Sequence, residues 1–167
     1  MLYIGCPESC HYLKAGRESS LERSREFRLR YYGQTGKTFP KLTKEMADFL
    51  YFVELRIVMA QREQIRDLED RDILEAVETL IKNLQTEHII YEHRALSERA
   101  QQLSRRLRAD IESIGLPRAD MIDALSSLCD LIRAYVERSN DPQAYLRGTA
   151  ILFPWERSDR DKLILQV

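Results

Sequence analysis

The chain has 167 residues, a net charge of −1, 32% charged residues, six glycines and five prolines. One domain of that length buries about 70% of its unfolded surface, and the composition suits a helix-rich protein better than a β-sandwich or a disordered chain. No stretch approaches the about 18 uninterrupted apolar residues of a membrane span, and the start MLYIGCPESCHYLK has no basic leader before a long apolar run. The expected compartment is therefore the cytoplasm, with no membrane partner. Three cysteines, Cys6, Cys10 and Cys129, make an odd count that argues against a secreted disulfide framework.

Residues 1–43 read as a basic N-terminal arm. The first 44 residues carry nine Lys or Arg against four Glu, a charge of +5, while the remaining 123 carry −6. Within the arm, Thr35-Gly36-Lys37-Thr38 looks like the end of a phosphate-binding loop. That loop needs a glycine five residues before Gly36, where this chain has Tyr31, and a helix opening after the Lys-Thr pair, where this chain has Phe39-Pro40. A turn bracketed by Gly33 and Gly36 is the better reading, with a hairpin between Phe27–Tyr32 and Lys37–Leu42.

From residue 44 to 147 the pattern predicts an all-α fold, an antiparallel helical bundle of about four main helices with irregular N- and C-terminal arms. Thr43 caps a helix from Lys44 to about Arg66. Between Phe49 and Ala60 this helix is apolar at ten of twelve positions, interrupted only by Glu54 and Arg56, so burial is expected on nearly all sides. Asp67 or Asp70 caps a second helix with Ile73, Val77, Leu80, Ile81 and Leu84 at helical spacing and Glu78 four residues before Lys82. It runs to about Arg94, with Ile89-Ile90 an alternative earlier end. Ser97 caps a third, with Ala100, Leu103, Leu107, Ile111 and Ile114 on one face; Gly115 stops it and Pro117 opens the next. The fourth covers about Arg118 to Arg138, and a short turn to Leu146 is stopped by Gly148. Residues 148–167 form an apolar tail expected to pack on the bundle or a partner.

Four sets of residues could carry chemistry. His88 and Glu92, four apart, could share a helix face as metal ligands or as a base and its carboxylate, while His93, five from His88 and pointing elsewhere, is a weaker candidate; a core-edge histidine is the competing reading. Cys6, Cys10 and His11 are weak metal candidates, because Cys-x-x-x-Cys around Pro7 is not the usual zinc spacing. Glu75 with Glu78, and Asp120 with Asp123, are paired carboxylates of a kind that charge-rich helix surfaces produce by chance. Arg23, Arg25, Arg28, Arg30 and Lys37, interleaved with Tyr31 and Tyr32, form a basic patch able to neutralise phosphates, and Arg99, Arg105, Arg106 and Arg108 add a second cluster. No nucleophile elbow, dinucleotide fingerprint or histidine-bearing zinc motif is present.

The leading expectation is thus a helical protein-interaction or adaptor module acting as a homodimer, without a cofactor. Nucleic-acid binding through the basic arm is the alternative, and a small metal-dependent enzyme with its site near His88 and Glu92 a second one.

Overall fold

A computed structural model describes residues 42–86 and 93–153, together with Ser19, Glu22 and Glu26. They form an all-α helical bundle of α1 (Lys44–Glu63), α2 (Asp70–Gln85), α3 (Glu98–Ile111) and α4 (Arg118–Arg138), with a shorter α5 (Ala144–Ile151) added to it. Ser19, Glu22 and Glu26 are helical and exposed, in an arm where the pattern suggested no helix. Of the hairpin expected before α1, only Leu42 falls within the described residues, and it packs against the core.

Two helices start where the capping residues dictate. The Thr43 hydroxyl accepts from the Met46 N–H at 3.3 Å, and the Ser97 hydroxyl accepts from the Ala100 N–H at 3.4 Å, each satisfying one of the amides that a first turn leaves without a partner. The second helix corrects its expected cap. Glu69, not Asp67 or Asp70, is the N-cap, and its N–H donates to the Asp72 carboxylate at 3.1 Å in a capping box. The physical reason is that its acidic neighbours are engaged elsewhere. Asp67 meets Arg99 at 3.1 Å, and Asp70 turns inward to accept the N–H groups of Tyr145 at 2.8 Å and Leu146 at 3.1 Å. Asp70 therefore caps α5, about 75 residues away in the chain.

Several helix ends also differ from expectation. α2 ends at Gln85, where the Thr86 hydroxyl donates back to the Lys82 carbonyl at 2.8 Å, and residues 93–95 are not helical. α3 ends at Ile111, so Gly115 lies beyond its C-cap and takes no left-handed conformation. Pro117 is the N-cap of α4 rather than its first helical residue. Gly148 does not stop the chain: α5 runs through it to Ile151, and Phe153 beyond is fully buried.

The core joins Leu50 and Ile57 of α1, Ile73 and Leu80 of α2, Leu103 and Leu107 of α3, and Leu125 and Ile132 of α4. Around the bundle the helices touch in the order α1, α3, α2, α4 and back to α1, the α2/α4 contact being the most extensive. α1 is buried or half-buried from Met46 to Ala60 at every position but Asp48, as its apolar run demands. Among the described residues no helix is long and apolar enough to cross a membrane.

Candidate interaction surface

The apolar face that the bundle leaves open lies at the start of α1. Buried Phe49 and half-buried Phe52 stand on its second and third turns, and the α3–α4 connection lays Ile114, Gly115, Leu116 and Pro117 alongside them. Together with Glu45 and Asp48 these residues line a groove of about 440 Å³. Its floor is aromatic and aliphatic, and its two charged lining residues are both acidic and exposed. An apolar trough with carboxylates of one sign suits an apolar segment that carries cations.

Another concavity is spanned by charge pairing. Of about 410 Å³ and set between α2 and α4, it is lined by Glu78, Lys82, Cys129, Asp130 and Arg133 among others, and Arg133 spans it, reaching Glu78 and Asp130 at 2.8 Å each. Glu78 thus pairs across to α4 rather than with Lys82 along its own helix. Beneath that pair, burial pushes the Cys129 thiol up to about 12, with Glu78 adding to the shift and Arg133 opposing it. The thiol is protonated at neutral pH, inert, and packed as a small core residue.

The loop into α3 is tied down by α2. Asn83 mimics a peptide group: its side-chain amide donates to the His93 carbonyl at 3.1 Å and its oxygen accepts from the His93 N–H at 2.7 Å. The Glu75 carboxylate accepts from the N–H groups of Leu96 and Ser97, and Asp72 accepts from the Ser97 hydroxyl at 2.6 Å. This anchored loop presents Leu96 almost wholly to solvent, 99% exposed. The Glu75/Glu78 pair is thereby explained without a metal, since one carboxylate holds a loop and the other an arginine.

Of the residues singled out for chemistry, His93 is described, and its imidazole belongs to an exposed residue outside the grooves above. His88, Glu92, Cys6, Cys10, His11, Arg23, Arg25, Arg28, Arg30 and Lys37 lie outside the described residues. Among the described residues no three His, Cys, Asp or Glu side chains are grouped so as to hold a metal ion.

Most of the arginines of α3 are paired with carboxylates of the fold. Arg99 pairs with Asp67 and Asp72, both at 3.1 Å, Arg106 with Glu63 at 3.0 Å and Arg108 with Glu112 at 3.8 Å. Three of its four cations thus have carboxylate partners within the fold, leaving less charge for phosphates. The groove at α1 had no clear signal in the sequence, because its two walls are more than 60 residues apart and one of them looks only like Gly-Pro punctuation. No protein-family model matches the chain, and comparison with the curated proteins and with the solved structures yields no significant match.

Proposed function

We propose that the chain is a helical protein-interaction module that acts through protein contacts as a homodimer. The observation that supports this reading best is the groove over buried Phe49, whose walls are the half-buried Phe52, Ile114 and Leu116 and the exposed Pro117. Apolar patches on folded domains are where association gains most from removing water. Leu96 and Ile151 add large apolar side chains held out in solvent.

Light scattering of the purified chain at micromolar concentration tests the reading. The expected mass is that of two chains, and Phe52→Glu, which places a charge in the half-buried wall of the groove, is expected to shift the mass to one chain while the far-ultraviolet circular dichroism stays helical. A single-chain mass for the wild type across the micromolar range overturns the homodimer.

A further inference from the structure

Leu96 is the most exposed large apolar side chain among the described residues, 99% open to solvent, yet the backbone around it is held by three side chains. The Glu75 carboxylate accepts its N–H, the Gln101 side chain accepts the Ala95 N–H at 2.7 Å, and Asn83 pairs with His93. An apolar side chain offered from a fixed backbone loses little freedom when it docks. Two residues before it stands Arg94, which is exposed. This loop therefore carries both the apolar side chain and the cation that complement the groove at the start of α1, where Glu45 supplies an exposed carboxylate.

The leucine does not reach the groove of its own chain. It stands just before α3, the groove residues Ile114, Leu116 and Pro117 come just after it, and the 14 residues of that helix span about 21 Å. A second copy brings the two surfaces together, and a twofold axis makes the contact twice, because what one chain gives to its partner it also receives.

We propose that the dimer is built on this reciprocal contact, with Leu96 of each chain seated in the groove of the other over Phe52 and Leu116, and Arg94 against Glu45. The inference rests on the homodimer reading above and names the surface that fills the groove. Two contacts separated by about 21 Å or more fit within a patch of roughly 800 Å² per partner, about 30 Å across, the size of a stable interface.

The test measures the dimer dissociation constant of the full chain by sedimentation equilibrium. Leu96→Ala removes an exposed side chain, so the bundle is spared and circular dichroism verifies it. The expected result is a dissociation constant at least about 100-fold higher, because the symmetric dimer loses two leucine contacts at once. Arg94→Glu and Glu45→Arg, prepared as separate variants, supply the second arm. Each alone sets like charges together in both contacts and weakens the dimer, whereas a mixed dimer of the two restores opposite charges in both and is expected to form with about tenfold preference over either parent dimer.

A wild-type dimer whose dissociation constant is unchanged by Leu96→Ala overturns this contact and leaves the homodimer standing. Weakening by Leu96→Ala without any preference for the mixed dimer also overturns it, because the leucine then docks away from Glu45. A wild type that sediments as a single chain across the micromolar range overturns both readings.

Discussion

Arg56 grips Asp110 through two parallel bonds, Nε to Oδ2 at 2.6 Å and Nη2 to Oδ1 at 2.7 Å, and so ties α1 to α3 at their flank. The two side chains are only 24% and 19% exposed, which limits screening by water and salt. Two-bond arginine–carboxylate forks are among the stronger charge-assisted contacts. Asp110→Ala is expected to cost about 1–3 kcal/mol in urea unfolding, and Arg56→Met/Asp110→Leu to recover much of that loss, since neither partner then remains without its counter-charge. A cost for Asp110→Ala below about 0.5 kcal/mol, the range of exposed pairs, contradicts the assignment.

Asp70 gives a pH prediction with a definite sign. Burial raises its pKa above the ordinary 3.8, and nearby Asp141 adds to the rise, while the N–H groups of Tyr145 and Leu146 and the Arg147 charge pull it down without cancelling it. The folded state therefore holds this proton to higher pH than the unfolded chain does, and Asp70's contribution to stability falls as pH rises from 3.8 through its raised folded value. Relative to Asp70→Asn, which has no such titration, the wild type should be favoured most in acid and lose ground as pH rises through that window. Parallel stability curves for the two proteins across the window refute this account.

Gly148 stands inside α5, is exposed, and has nothing within 4 Å of where a Cβ would project. Helical glycine costs backbone entropy that alanine does not. Gly148→Ala should therefore stabilise the fold by about 0.5–1 kcal/mol and raise the melting temperature by roughly 1–4 °C. A lower melting temperature would falsify the helical assignment of this turn.

Cys129 should resist alkylation in the native protein and react once denaturant opens the bundle, as peptide-resolved mass spectrometry can show. Its thiol, raised from 9 to about 12, also makes its contribution to stability fall as pH rises through that interval, because the folded state keeps a proton that the unfolded chain releases. Rapid native labelling at Cys129 contradicts the burial on which both statements depend.

What the sequence reveals about this fold divides along the range of the interactions. Thr43 and Ser97 act on amides three residues away and were legible as caps, and the stripes of Ile73, Val77 and Leu80 or Leu103 and Leu107 announced their helices by spacing alone. The start of α2 was not legible, because Asp67, Glu69, Asp70 and Asp72 all compete for the cap within six residues. The choice falls to distant partners, with Asp72 taken by Ser97 and Arg99 and Asp70 by α5. Arg56 showed in the sequence only as an interruption of an apolar run, since its partner lies 54 residues away. The groove stayed hidden for the same reason, its walls being joined only by the packing of α1 on the α3–α4 connection.

α5 has eight residues, too few to persist as an isolated helix in water. It is fastened at one end by the Asp70 carboxylate of α2 and is followed at the other by Phe153, whose ring lies 5.2 Å from that of Tyr51 on α1. Its amide protons at Tyr145 and Leu146 consequently cannot exchange with solvent as those of a frayed end do. Their exchange requires α5 and the Asp70 carboxylate of α2 to part, so protection at these two amides reports on the docking of the last described helix on the second rather than on local fraying.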